Sequence, residues 1–327
     1  MRPTGSAVPP VLAGAVPLAH VERAGEVESV HLGILAVVGP DGAPLPGRGG
    51  ADTPFLPRSA LKPVQAVAML RAGLDLDGEL LALACASHSG EPGHVAGVRR
   101  ILDGAGLTDA DLDNTPDLPL GTEAAAIARA AGTAPSPLLQ NCSGKHAAML
   151  ACCVAAGWPV RGYRDPGHPL QQLVRATIAD LTGVDPHVTT VDGCGAPLFG
   201  CTPAGLARAF GRIAVAAPGT PEGRVAAAMR AHPWWVGGTD RSVTRLAEAV
   251  PGLVAKDGAE GVLAAALPDG RAFAVTVLDG AVRPLPVLAA AVLDGWGAGG
   301  PALSAAGRVD VLGHGLPVGR VHANLAS

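Results

Sequence analysis

Gly261–Leu278 reads GVLAAALPDGRAFAVTVL, an apolar run to Leu267, the turn Pro268-Asp269-Gly270, and a second apolar run from Arg271. Two such runs around a Pro-Asp-Gly turn predict a β-hairpin. Near the other end, Val30–Val38 is also apolar and rich in β-branched residues. Asp41-Gly42 and then Ala43 to Leu45 follow it, which predicts a strand entering a hairpin. Between these regions the apolar spacing becomes three and four residues, with Gly, Pro and Asp connectors. It predicts a helix from Ser59 to near Gly73, then helices over 93–104, 121–132, 143–156, 168–182, 203–215, 221–231 and 240–249. A helix around 286–297 and a strand around 316–322 close the chain. The economical fold is α/β and forms a single unit. One antiparallel sheet is built from both chain ends, 10–56 and 251–327, and a helical lobe, 57–250, is inserted between them. Such a fold places an active site at the seam between lobes.

Composition narrows the function. The chain has 327 residues, nearly half of them hydrophobic, which excludes a disordered protein. Net charge is −4 and no basic stripe with interleaved aromatics appears, so no nucleic-acid partner is expected. No stretch is long and uninterrupted enough to span a membrane. Met1 to Leu18 is apolar but broken by Pro3, Pro9, Pro10 and Pro17, with no compact apolar run. It does not read as a signal peptide, and a cytoplasmic protein is expected. The cysteines, Cys85, Cys142, Cys152, Cys153, Cys194 and Cys201, are too sparse for a disulfide scaffold and are read as reduced.

Only three of the 24 basic residues are lysines: Lys62, Lys145 and Lys256. A chain so rich in arginine keeps lysine by chance, or where a side chain must be able to lose its proton, which arginine cannot do. Ser59 and Lys62 are spaced i, i+3 and share a helical face. A serine hydroxyl becomes a nucleophile when a base takes its proton, and a desolvated neutral lysine is such a base. Pro63 fits only within a first helical turn, so Ser59 stands at the helix N-terminus, where backbone amides can support an oxyanion. The bland alternative is a capping serine and a solvated lysine.

Cys85-Ala86-Ser87-His88-Ser89-Gly90-Glu91 follows the apolar run Leu80 to Ala84 and leads into a helix, either as turn and cap residues or as a pocket wall from which Ser87 relays a proton. Lys256-Asp257-Gly258 adjoins the late hairpin. A second amine near Lys62 would lower both pKa values, whereas the Asp-Gly pair suits an exposed turn. Ser-x-x-Lys, a middle Ser-x-Ser and a late Lys-x-Gly share the layout, not the letters, of penicillin-binding proteins and β-lactamases. Gln140-Asn141-Cys142-Ser143-Gly144-Lys145-His146 opens a helix, and Asp192-Gly193-Cys194 lies about fifty residues later. Cys142 and Cys194 are soft ligands, but two cysteines make no metal site, and spacing alone favours buried thiols. A phosphate loop is rejected, because Leu139 stands where its first glycine belongs.

These segments, RSALKPVQA, CASHSGEP, NCSGKHAAML, Tyr163 with DPGHPLQ, DGCGAP and the late Lys256, resemble the thermolabile, rhizobial-type L-asparaginases, the asparaginase II or class 3 group. They occur in the same order and cover most of the chain. The resemblance implies a serine-β-lactamase-like fold. It implies catalysis by one pair, Ser59 and Lys62, and a second, Ser87 and Lys256. It implies one zinc ion held by Cys142, Lys145 and Cys194, and no organic cofactor. Asp192 would hold the substrate ammonium, while Arg58 and His146 are candidates for the substrate carboxylate and orienting contacts. The expected reaction hydrolyses L-asparagine, a small amino-acid substrate, and the expected assembly is a homodimer. Three alternatives stay open: a glutaminase, a penicillin-interacting serine hydrolase on the same fold, and a non-catalytic amino-acid binder.

Overall fold

Period-two alternation builds the sheet. In Val262–Ala266, Val262, Ala264 and Ala266 join one apolar cluster, while Leu263 and Ala265 join another on the opposite face. The structure is a computed structural model that describes residues 9–325. Positions 1–8 of the expected leaderless start, and 326–327 of the expected sheet region, lie outside the described residues. Strands β1 (Val16–Arg23), β2 (Glu26–Val38) and β3 (Pro44–Arg48) come from the start of the chain. β4 (Thr189–Val191) and β5 (Pro197–Phe199) form a separate ribbon. β6 (Val254–Gly258), β7 (Val262–Ala266), β8 (Ala272–Val277), β9 (Asp310–Gly313) and β10 (Leu316–Ala323) come from the end. The large sheet runs β6-β7-β8-β2-β1-β10-β9, with β3 on β2, and its pairings are antiparallel. Both ends of the chain therefore meet in one sheet, as the hairpin patterns predict.

The helices are α1 (Pro10–Ala13), α2 (Lys62–Arg71), α3 (Gly78–Ala84), α4 (Pro92–Gly104), α5 (Thr122–Ala130), α6 (Ser143–Ala155), α7 (Pro169–Thr182), α8 (Pro203–Val215), α9 (Pro221–Ala231), α10 (Pro233–Val236), α11 (Ser242–Ala249), α12 (Leu285–Gly295) and α13 (Pro301–Ala306). Their starts follow local chemistry. α8 and α9 begin with proline behind Thr202 and Thr220, whose hydroxyls accept from the Gly205 and Gly223 amides. α8 lies on β8 and β2, over the small side chains Ala272 and Ala274. The opposite sheet face packs residues of α11, α12 and α13, including Leu246, Leu288 and Leu303.

Several elements were not expected from the pattern, β1 and α3 among them. β1 escapes the pattern because Val16–Arg23 mixes Pro17, His20, Glu22 and Arg23 with its apolar residues. The apolar run before Cys85 is a helix, α3, buried from Leu81 to Ala84. Lys256-Asp257-Gly258 is not an exposed turn but the end of β6, paired with β7 through Asp257 opposite Leu263. An Asp-Gly pair carries turn propensity locally, and pairing with a neighbouring strand overrides it.

Candidate active site

All three lysines are buried, with exposures of 1% for Lys62, 2% for Lys145 and 0% for Lys256. Chance survival on the surface is therefore excluded for each. Burial strips an ammonium of water at a cost of several kcal/mol unless partners replace it, and each amine has such partners.

Lys62 opens α2 directly after a 3-10 turn, Arg58–Leu61, that contains Ser59. The Lys62 backbone amide donates to the Ser59 carbonyl. Side chains at i and i+3 eclipse in such a turn, so Ser59 and Lys62 face the same way. The Lys62 amine passes inward and donates to the Ala86 carbonyl (2.5 Å), to Ser87 Oγ (3.0 Å) and to Cys142 Sγ (3.1 Å). Lys256, from β6, also donates to Ser87 Oγ (3.0 Å) and to the carbonyl and carboxylate of Asp257 (2.6 and 2.5 Å). Ser87 thus stands between two amines, where the resemblance implied two separate serine–lysine pairs. Ser59 is half-buried and makes no side-chain hydrogen bond among the described residues. Burial pulls the Lys256 amine down to about 8; Asp257 opposes this and Lys62 adds to it.

The second cluster lies on α6. Cys142 caps it, Lys145 and His146 occupy its first turn, and Cys194 follows β4. Lys145 Nζ donates to Cys194 Sγ (3.2 Å), and Cys142, Cys194 and Ala196 form a small buried cluster. The hydrogen bond from Cys194 draws the Cys142 thiol well below its ordinary range. Burial opposes the Lys145 charge, but the two sulfurs hold its amine above the ordinary value. The approach of α6 to α3 requires Gly144, where a Cβ would lie 2.5 Å from the Leu83 carbonyl oxygen. Among the described residues, no group of three or more His, Cys, Asp or Glu side chains gathers as a metal cage. The expected donor set is different, two sulfurs and an amine. Two ligands of one tetrahedral zinc, one S and one N, lie about 3.6 Å apart, close to the 3.2 Å between Lys145 Nζ and Cys194 Sγ. Two of the three expected donors, Lys145 Nζ and Cys194 Sγ, thus have a spacing that a zinc ion would allow once the amine and thiol lose their protons.

The expected substrate-binding residues surround these clusters. Arg58 Nε donates to Asp192 Oδ1 at 2.8 Å. Burial opposes it, yet Lys145 and Arg58 hold the Asp192 carboxyl below its ordinary value. Arg58 has φ +53°, a left-handed conformation uncommon outside glycine, and such conformations cluster at functional sites. Tyr163 Oη accepts from the Asp113 amide (3.3 Å) and lies 2.7 Å from His146 Nδ1. His146 Nε2 is buried and has no hydrogen-bond partner among the described residues. A cavity of about 490 Å³ is lined by Arg58, next to Ser59, and another of about 720 Å³ by Asp257, next to Lys256. Sequence reasoning missed Asp257 and Arg241. An Asp beside one of three lysines was the available signal, but Asp-Gly suggested a turn.

The family described as L-asparaginase II matches residues 19–323. No curated protein matches the chain. Among solved structures, a β-lactamase from Mycobacterium bovis is 17% identical, with TM-score 0.46, over 81% of this chain and 94% of that one. Mglu in its native form is 15% identical, with TM-score 0.45, over 81% of this chain and 64% of that one. EstCE1, a hydrolase with promiscuous acyltransferase activity, is 13% identical, with TM-score 0.35, over 83% and 91%. Among the described residues, no helix is long and apolar enough to cross a membrane.

Proposed function

The chain belongs to the L-asparaginase II family, and from that premise we propose that it hydrolyses L-asparagine to L-aspartate and ammonia through an ester on Ser59. The observation that carries the chemistry is Ser87 Oγ, 3.0 Å from two buried lysine amines. A hydroxyl held between two nitrogens is a proton relay. The half-buried Ser59, one turn before Lys62 and free of side-chain hydrogen bonds among the described residues, is the hydroxyl left to attack.

Ser59 Oγ attacks the side-chain amide carbon while Lys62 Nζ takes its proton. The tetrahedral intermediate collapses, the C–N bond breaks, and the leaving nitrogen receives a proton through Ser87 and departs as ammonia. Water then attacks the β-aspartyl ester, giving its proton to Lys62, and Ser59 recovers its own as aspartate leaves. An amino acid presents a carboxylate and an ammonium. Arg58 and Asp192 supply the complementary charges, exchanging their mutual 2.8 Å bond for bonds to the substrate. His146, whose Nε2 has no partner among the described residues, is the candidate orienting contact. Zinc, when bound, is held by Cys142, Lys145 and Cys194 and fixes the pocket beside Lys62.

The test is ammonia release from a panel of amides. Ser59→Ala abolishes it in a folded protein, and Lys62→Arg folds but stays inactive, because guanidinium cannot accept the proton. Near-normal turnover in either variant rejects the mechanism. Release from glutamine at the asparagine rate rejects the substrate.

A further inference from the structure

Lys256 Nζ has three acceptors around it, Ser87 Oγ, the Asp257 carbonyl and Asp257 Oδ1. Lys62 has three acceptors as well, and what sets Lys256 apart is that one of its acceptors is a carboxylate, which stabilises the ammonium. The other Asp257 oxygen, Oδ2, accepts from Arg241 Nη2 at 2.8 Å. Both carboxylate oxygens are thus committed, one to each cation. Asp257 is only partly buried, yet the amine it holds is fully buried at the end of the edge strand β6.

We propose that Asp257 is a positioning residue: clamped by Arg241, it keeps Lys256 a cation with one N–H on Ser87 Oγ, so that Ser87 passes its own proton away from Lys256. The inference rests on the reading of Ser87 as a relay. A hydroxyl between two amines has one proton and no preferred direction. A carboxylate beside one of those amines breaks the symmetry, because it stabilises the charged form on that side. The titratable and charged groups around Lys256 are Asp257 on its own strand, Lys62 of α2, Arg241 before α11 and the Cys85 thiol after α3. Among them only the Asp257 charge raises the amine against burial, Lys62 and Arg241. Without it, the Lys256 proton leaves at a lower pH.

With three lysines in the chain, each side chain is resolvable by NMR in protein labelled with ¹³C and ¹⁵N lysine, using Lys→Arg variants for assignment. In Asp257→Asn, the Lys256 titration midpoint falls by about two pH units, and the kcat for asparagine at neutral pH falls about tenfold. KM stays within about threefold, and the alkaline limb of kcat moves to lower pH by the same amount as the midpoint. Asp257→Glu restores part of both. An unchanged Lys256 midpoint, or a neutral-pH kcat that holds or rises, overturns the proposal. The NMR arm needs no substrate. A shifted midpoint in a protein that releases no ammonia from asparagine therefore sinks the substrate reading and leaves the Asp257 assignment standing. Should Asp257→Asn fail to fold, Asp257→Ser removes the same charge. It lowers the midpoint likewise, and no movement there overturns the proposal too.

Discussion

Gly144→Ala tests whether the packing of α6 sets the catalytic geometry. A Cβ at this position would meet the Leu83 carbonyl oxygen at 2.5 Å, Leu83 Cγ at 2.7 Å and Leu83 Cδ1 at 3.1 Å. Ordinary contact between such atoms is about 3.5 Å, so α6 must move from α3 by roughly 1 Å. Overpacking of this kind costs about 1–3 kcal/mol, only partly offset by alanine's better helix propensity, about 1 kcal/mol. The expected loss is on the order of 1–2 kcal/mol, which lowers Tm by a few degrees in a chain of this size. The functional effect is larger. α6 carries Cys142, which accepts from Lys62, and Lys145, which reaches Cys194. A misplacement of about 1 Å is worth about a hundredfold in rate. Thermal unfolding and ammonia release, measured on the same preparation, give both numbers. Gly104→Ala is the control, because nothing lies within 4 Å of a Cβ there. It leaves turnover unchanged and stability equal or slightly higher. Wild-type Tm and turnover in Gly144→Ala would falsify the claim that this close approach positions the site.

Asp192→Asn removes the charge offered to the substrate ammonium, costing about 1.5–3 kcal/mol of binding. Initial-rate kinetics then show KM raised about tenfold to a hundredfold with kcat changed far less, and an unaltered KM rejects the role. Burial lowers the Lys256 amine from an ordinary 10.5 to about 8, so between those pH values the unfolded chain holds a proton the native one has released. The resulting destabilisation is fully present below about pH 8 and is relieved as pH rises toward 10.5, on the order of 3 kcal/mol in all. In urea unfolding, the stability advantage of Lys256→Met over wild type therefore shrinks from about pH 7.5 to about pH 10; a constant difference rejects the shift. Zinc raises the Tm of the wild type and not of Cys142→Ser or Cys194→Ser, whereas equal responses in all three place any bound ion elsewhere.

The order of elements was legible because its signals are local. Proline behind a threonine cap marks the starts of α8 and α9, which the apolar period alone leaves uncertain. Apolar runs around a Pro-Asp-Gly turn mark β7 and β8. β1 was not legible, because its polar residues make sense only once β2 and β10 flank it. The candidates for the site were legible as well. Arginine had displaced lysine almost everywhere, so Lys62, Lys145 and Lys256 stood out, and their burial agrees with that reading.

Their partnerships were not legible. Lys62 and Lys256 meet on one serine although 194 positions separate them, and that meeting exists only where the start of α2, the end of α3 and the edge strand β6 converge. The sequence by itself determined which groups could do chemistry, since charge, nucleophilicity and ligand softness belong to the residues. The tertiary structure alone decided which hydroxyl lies between the amines and which carboxylate stands beside one of them. Hydrogen bonds and buried charges act over a few ångströms, and distance in space is not encoded by distance along the chain.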